Sequence, residues 1–419
     1  MMNPTHSDLT SIYIYDSSSR KVGAWAKDQG SKEQADLTPE DFFRKYVSLF
    51  AGERRKEVQQ ALRDFTGHHP YLTEGTPWKA ILNVDPSSCE ALTGAILTLP
   101  PSPTPFSALG FLGIKEEIPP ERARELLCAA EALARSAGIR EIRTPIDFNF
   151  FYGYRFIDLP EDSNSEALHP PLLYGEPPGD TRWHRILQDS GYITQGTWQS
   201  HRLNLKTVKP MMKAISDRFL PEAMAKGFHL RPARLSPQAA WLKDLKMTYE
   251  LLCKSYQGMP EFTGISWESF RYRFKSFRHL LRSPTVWFLE DTQGSCAGFL
   301  IAFFDPAPLL RRVQKFPAVL RPLTLPWLLW RLKDPKGRDL LLTYAGKSPH
   351  GPEIKGVIGI LMHQMLEVLD GQIENLNSMF LASDSQSWKS MPQDYTVIRN
   401  YRLYRKTLAH SPDTKPRNP

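Results

Sequence analysis

The stretch from Phe106 to Leu205 constrains the fold of this chain more than any other. It opens with an apolar run, Phe106-Ser-Ala-Leu-Gly-Phe-Leu-Gly-Ile114, bounded by the proline-rich Pro100–Pro105. That pattern predicts a buried strand. After Pro119-Pro120, the residues Leu126, Leu127, Ala130 and Leu133 fall on one face at helical spacing, and tandem prolines suit the start of a helix. Ser136-Ala-Gly138 closes that helix, and Ile139–Ile146 reads as a second strand. An aromatic turn follows, Thr144-Pro-Ile-Asp-Phe-Asn-Phe-Phe-Tyr-Gly-Tyr-Arg-Phe156. Then come Tyr174-Gly-Glu-Pro-Pro178, Trp183–Asp189, Ser190-Gly-Tyr192 and Ser200-His-Arg-Leu-Asn-Leu205.

This order resembles the first half of a group of bacterial tandem GNAT-fold (N-acetyltransferase-like) proteins. In that group a Gly-Phe-Phe strand precedes a helix and a strand. A Gly-Pro-Met-Asn-Phe-Ser-type turn follows, then a Tyr-Asn-Pro-Pro-type turn, a helix and a Gly-Phe. Here the turns are Thr144–Asn149 and Tyr174–Pro178, and the closing pair is Gly191-Tyr192. The resemblance runs from about Asp41 to Lys406, in order and spacing more than in identity. It implies an α/β fold of two tandem GNAT-like units, each a twisted mixed β-sheet flanked by helices. Fold speaks weakly to chemistry.

A chain of 419 residues suits two domains. Its 41% hydrophobic and 23% charged residues are those of a globular protein with real cores. No apolar stretch is long enough for a transmembrane helix, and the N-terminus lacks a signal core. The expected compartment is the cytoplasm. Cys89, Cys128, Cys253 and Cys296 are isolated and read as buried free thiols. The histidines are scattered, so no metal site is expected. A net charge of +8 can attract nucleic acid, anionic lipid or a phosphorylated cofactor. No nucleic-acid motif accompanies it, so nucleic acid is not an expected partner.

The chain divides by pattern into a polar segment 1–37, a first unit 38–205, a bridge 206–227, a second unit 228–410 and a disordered tail 411–419. Ile12-Tyr-Ile-Tyr15 reads as a short strand, Asp41–Phe65 as helical, and Trp78–Val84 with Ala91–Leu99 as a hairpin pair. The second unit starts at strand Phe228–Pro232, with helices at Pro237–Ser255 and Ile265–Leu281. The hairpin Val286–Glu290 and Ala297–Phe304 follows, then strand Asp339–Ala345, helix Val357–Leu369 and strand Asn375–Ser383. A last helix at Ser387–Asp394 and the strand Tyr401–Lys406 close it. An insertion at 305–338 alternates apolar clusters with basic residues, and its Trp327 and Trp330 flank a leucine pair. It suits a lid, or shallow peripheral membrane contact through 306–333.

The resemblance places the acyl-CoA pyrophosphate on the turn between the fourth strand and the next helix, where N–H groups and the helix dipole favour an anion. In the first unit that turn is Lys115-Glu-Glu-Ile-Pro-Pro-Glu121, acidic and without glycine, so no CoA is expected there. In the second unit it is the glycine-rich run 346–359. Gly346, Lys347, His350, Gly351, Lys355, Gly356, Val357 and Gly359 are its candidate cofactor-binding residues. Glycine there would let backbone approach phosphate, so a bulky residue at Gly356 is expected to abolish CoA binding without unfolding the chain. Asp384 and Tyr395 are the candidate catalytic base and acid. Asn149, Tyr152 and Arg155 of the aromatic turn are candidate substrate-binding residues.

The reading is a CoA-dependent N-acyltransferase that takes acyl-CoA or acetyl-CoA as donor and a small-molecule amine as acceptor. Two alternatives stand beside it: an aminoacyl-tRNA-dependent transferase, and a non-catalytic degenerate GNAT binding or scaffold protein. The sequence sets no oligomeric state.

Overall fold

A computed structural model gives the structure of the protein. It describes residues 11–25, 33–34, 37–50, 52–66, 76–100, 106–158, 173–176, 180–259, 262–333, 338–348, 354–382 and 394–409. The chain forms two compact units. One comprises 1–169, 177–196 and 402–419, and the other 170–176 and 197–401.

In the first unit, β1 (Ser11–Asp16), β2 (Lys21–Trp25) and β3 (Glu33–Gln34) precede helices α1 (Pro39–Ser48) and α2 (Gly52–Thr66). Then come β4 (Trp78–Val84), β5 (Ala91–Thr98), β6 (Ser107–Ile114), α3 (Pro120–Ser136), β7 (Glu141–Thr144), β8 (Phe156–Asp158) and α4 (Arg182–Asp189). The ladder runs β3-β2-β1-β4-β5-β6-β7, antiparallel except for the β6–β7 pair. Side chains alternate along each strand. Thus Ile12, Ile14 and Ile81 join a core with α3 and α4 on one face. Tyr15, Ala80 and Leu82 join a core with α1 and α2 on the other. The short strand expected at Ile12–Tyr15 is present as β1, which pairs with Lys79–Val84 of β4.

The second unit contains part of β9 (Ile193–Leu203), then α5 (Leu205–Ala225), β10 (Phe228–Pro232), α6 (Gln238–Tyr256), α7 (Trp267–Phe274), β11 (Val286–Asp291) and β12 (Cys296–Phe304). The insertion holds α8 (Ala307–Gln314) and α9 (Leu325–Lys333). β13 (Arg338–Lys347), α10 (Val357–Val368), β14 (Ile373–Ala382) and the start of β15 (Tyr395–Thr407) follow. The order here is β10-β11-β12-β13-β14-β9, antiparallel except for β13–β14. The expected α/β architecture, a mixed sheet flanked by helices in each unit, is present.

Three expectations need correction. The bridge, whose Met211–Phe219 was expected to be helical, is one longer helix, α5, and its Val208, Met212 and Ala223 belong to the core of the second unit. The expected helix Ile265–Leu281 is broken after α7 and resumes only as a 3-10 turn at Phe277–His279. The closing strands are exchanged. Tyr404–Thr407 of β15 pairs with β7 in the first unit, and Trp198–Leu203 of β9 pairs with β14 in the second. In the first unit the exchanged strand is fixed by a directed pair of bonds. His184 Nε2 donates to the Ile157 carbonyl at 2.7 Å, so its Nδ1 accepts from the Tyr404 hydroxyl at 2.7 Å. All four cysteines are free, and none is fully buried. Among the described residues no helix is long and apolar enough to cross a membrane.

The parallel pair of the first unit is stitched shut at its end. Past Ala108↔Arg143 the chain turns, and the Ile146 N–H donates to the Leu109 carbonyl at 2.9 Å. Buried Asp147 then accepts the Phe111 N–H at 2.5 Å and holds the Arg54 guanidinium at 2.5 Å. Gly110 permits this closeness, since a Cβ there would lie 2.1 Å from the Ile146 carbonyl oxygen. Removing one partner of a buried ion pair strands the other and costs about 3–5 kcal/mol. Asp147→Ala is therefore expected to lower the urea midpoint by an amount equivalent to several kcal/mol. A midpoint shifted by less than about 1 kcal/mol would show that the stitch is dispensable.

Candidate functional site

In the second unit the equivalent parallel pair is closed at one end and open at the other. The β13–β14 ladder runs from Arg338↔Ile373 to Leu342↔Ser378 and stops. Both strands continue, β13 along β12 to Lys347 and β14 along β9 to Ala382. At the closed end Asp339 acts as a clamp. Its carboxylate accepts from Asn375 Nδ2 at 2.7 Å, Asn377 Nδ2 at 3.0 Å and Arg202 Nη2 at 3.2 Å, which ties three strands together.

Two bulges open the other end. Against β12, Ile301 pairs with Tyr344 and Ala302 with Leu342, leaving Thr343 as the extra residue. Against β9, Ser378 pairs with His201 and Leu381 with Gln199, so Met379 and Phe380 oppose Ser200 alone. Phe380 takes a left-handed φ of 54°. A bulge bends its strand and leaves a backbone group to be satisfied elsewhere. Here the Phe380 N–H donates to Ser200 Oγ at 3.3 Å. The Tyr401 hydroxyl donates to Glu176 Oε1 at 2.7 Å, so Ser200, 3.1 Å away, donates to the Tyr401 oxygen. Glu176 is buried and is also held by the Leu173 N–H and by Arg399, both at 3.3 Å.

One face of this opening carries an apolar pocket. Trp241, Leu245 and Leu252 of α6, Phe270 and Phe274 of α7, and Tyr344 of β13 line it. Its cavity volume is only about 20 Å³, room for about one water molecule. Its walls are pinned from outside. Asp244, fully buried, accepts from Arg231 and from the Arg234 N–H, tying α6 to β10. Trp241 Nε1 donates to the Lys275 carbonyl at 3.1 Å. The Thr248 hydroxyl donates into its own helix, to the Asp244 carbonyl at 3.0 Å, as a hydroxyl must when its surroundings are apolar.

The other face carries the first turn of α10. Gly356 caps it with a left-handed φ of 68° and, having no side chain, gives the first-turn N–H groups no cap bond of its own. Lys347 and Lys355 are exposed beside it. His201 lies on this face with its ring against Tyr395, centroids 4.6 Å apart and nearly perpendicular. Burial pushes the imidazole down from 6.5 to about 4, so it is neutral at neutral pH.

The structure thus brings Gly346, Lys347, Lys355, Gly356, Val357 and Gly359 to the open end of β13 and the start of α10. His350, Gly351 and Asp384 lie outside the described residues. The glycines do different work from that expected. A Cβ on Gly356 would meet Phe219 at 2.7 Å and Ile215 at 2.8 Å, and one on Gly359 would meet Ile215 at 2.5 Å. These two glycines admit α5 against α10, so a bulky residue at 356 would disturb the fold itself. Asn149, Tyr152 and Arg155 are built into the aromatic turn of the first unit. Asn149 Oδ1 accepts the Phe151 N–H, Tyr152 packs edge-on against Phe148, and the Arg155 guanidinium covers the Tyr154 ring at 3.5 Å. The sequence reading missed Ser200, His201, Tyr401 and Glu176. A signal for the bulges was present: Leu340, Leu342 and Ala345 of one core step by two and then three, and Leu376 and Leu381 lie an odd five apart.

No family model matches this chain, and no curated protein matches it. Among solved structures it is similar to a tandem GNAT protein from the clavulanic acid biosynthesis pathway. The identity is 10% and the TM-score 0.46, over 89% of this chain and 96% of that one. It is also similar to a GCN5-related N-acetyltransferase from Sphaerobacter thermophilus, at 12% identity and TM-score 0.41, over 87% and 92%. A GCN5-related N-acetyltransferase from Kribbella flavida shares 10% identity at TM-score 0.45, over 89% and 70%.

Two outcomes follow from this geometry. Gly359→Ala forces overpacking against Ile215 and is expected to destabilise the protein by about 1–3 kcal/mol. In an Ile215→Ala background the same change should cost less, and additive costs in the double-mutant cycle would refute the contact. His201 has a folded pKa below its unfolded value, so unfolding takes up a proton below pH 6.5. Stability should fall as pH drops from about 6.5 towards 4. His201→Gln should flatten that part of the urea-midpoint profile, and an unchanged profile would place the titration elsewhere.

Proposed function

We propose that the second unit is a CoA-dependent N-acyltransferase site, passing an acyl group from acyl-CoA or acetyl-CoA to a small-molecule amine. The observation that supports this most is the parting of β13 and β14 beyond Leu342 and Ser378. Parted strands present N–H and C=O groups that do not pair with one another. The pantetheine arm of CoA is an extended chain with two amides, and it can take those groups as a peptide strand would. The start of α10, with Lys347 and Lys355, suits the pyrophosphate. Bound acyl-CoA supplies the thioester.

In this reading the chain's own residues orient and move protons. The Glu176–Tyr401–Ser200 chain holds the Phe380 bulge, and so holds the edge on which the ligand lies. Tyr395 would return a proton to the departing thiolate, and Asp384 would take one from the amine. Neutral His201 supports the Tyr395 ring without adding charge. Gly356 and Gly359 are not assigned to the phosphate, because α5 fills the space they leave.

Thermal shift tests this reading. CoA, acetyl-CoA and a long-chain acyl-CoA should each stabilise the protein, and ATP should not. A ligand at a hundred times its Kd adds about 2.7 kcal/mol. Lys355→Glu, at an exposed site, should weaken CoA about tenfold, equivalent to about 1.4 kcal/mol, without changing the unliganded Tm. No stabilisation by any CoA species, or equal stabilisation by ATP, would overturn the proposal.

A further inference from the structure

The segment between β12 and β13 carries a surface whose role stands independently of acyl transfer. Residues 306–333 include Arg311, Arg312, Lys315, Arg321, Arg331 and Lys333, and no aspartate or glutamate. Prolines divide the segment into α8, a 3-10 stretch Ala318–Thr324, and α9. Its start is anchored: the Asp305 carboxylate accepts the Ala307 N–H at 2.9 Å, and Ala307 and Leu309 are buried. Beyond that anchor five large apolar side chains are exposed. Phe316 is 47% exposed, Leu320 45%, Leu323 75%, Trp327 38% and Trp330 62%. Nine large hydrophobic residues are exposed among the described residues, and these five fall within residues 316–330. The other four, Ile193, Met224, Val368 and Val397, are scattered. A single exposed leucine needs no explanation, but a cluster does.

The cluster is bordered by positive charge. Arg312 and Lys315 are exposed, and the Arg331 guanidinium lies 5.7 Å from the centre of the Trp330 ring. Arg321 Nε donates to the Phe316 carbonyl at 3.0 Å, which folds the chain back at the centre of the patch. Outward indoles and leucines with charge of one sign are what an anionic bilayer binds. The apolar groups enter the boundary layer, and the cations meet phosphate headgroups. We propose that residues 312–331 dock this protein on an anionic lipid surface, with Leu323, Trp327 and Trp330 inserted and Arg312, Lys315 and Arg331 at the headgroups. A protein partner would need acidic groups to match this charge, and a second copy of the segment would bring none.

The test is sedimentation of the full chain with vesicles, either of phosphatidylcholine alone or of phosphatidylcholine mixed with phosphatidylglycerol. Binding to the anionic vesicles should exceed binding to the neutral ones at least tenfold and should weaken as salt rises. Leu323→Glu with Trp330→Glu should lower it at least tenfold, and Arg312→Glu with Lys315→Glu should lower it comparably. Met224→Glu, at an equally exposed apolar residue elsewhere, should not. All these sites are exposed, and circular dichroism checks that the fold is kept. Failure of the unaltered chain to bind anionic vesicles would overturn the proposal, as would an equal loss with Met224→Glu. So would light scattering that finds a dimer dissolved by Leu323→Glu, without vesicle binding, since the patch would then cover a second copy. Neither result touches the CoA thermal shift, so the two proposals fail separately.

Discussion

The second unit depends on a pair of parallel strands that is held together at one end and forced apart at the other. Asp339 supplies the first condition, because one carboxylate accepts from Asn375, Asn377 and Arg202. The bulges at Thr343 and Met379–Phe380 supply the second. Neither would suffice alone. Without the clamp, bulged strands could slide in register, and without the bulges the ladder would zip closed along its length. One backbone group freed by the bulge is satisfied off the ladder. The Phe380 N–H begins a chain of bonds that passes through Ser200 and Tyr401 and ends on the buried carboxylate of Glu176. Ending such a chain on an anion strengthens each link, since bonds to charged acceptors are the strong ones.

The glycines near α10 show how one residue type can be read in two ways. Gly-x-x-Gly before an apolar helix suggests a backbone laid bare for phosphate. The atoms nearest to Gly356 and Gly359 are instead those of Ile215 and Phe219. On the sheet side, a Cβ on Gly298 would meet Val357 at 2.5 Å. The first turn of α10 is therefore wedged between β12 and α5, and the small residues measure how little room there is. A rigid helix start can still serve an anion, through its N–H groups rather than through the faces of its glycines.

The elements with strong periodicity were legible in the sequence: the hairpin of β4 and β5, strand β6 and helix α3, the hairpin of β11 and β12, and the apolar helix α10. Their burial follows directly from side-chain spacing. What could not be read was long-range. Val208 and Met212 give α5 an apolar face, but nothing in that face says which core it joins. The exchange of β9 and β15 is a matter of partner choice, and alternation in Trp198–Leu203 or Tyr401–Lys406 is the same whichever neighbour is paired. Of the candidate site, the location at the end of β13 and the start of α10 was legible from glycine and lysine content. The polar chain through Glu176 was not, because its members lie at 176, 200, 380 and 401 and meet only once the strands are laid down.

The two units put the same sheet pattern to opposite ends. In the first, the edge that a parallel pair leaves free past Ala108 and Arg143 is used up by the chain itself. The Ile146 N–H bonds to Leu109, and Asp147 bonds to the Phe111 N–H with Arg54 as counter-ion. A carboxylate inserted at that place fills the space a ligand strand would need, and its charge opposes a phosphate nearby. In the second unit the β13–β14 ladder ends at Leu342↔Ser378. In the first unit a carboxylate with a buried arginine partner closes the sheet. Where the following strand is bulged outward and its N–H is taken from behind by Ser200, the sheet keeps an edge that another extended chain can pair with.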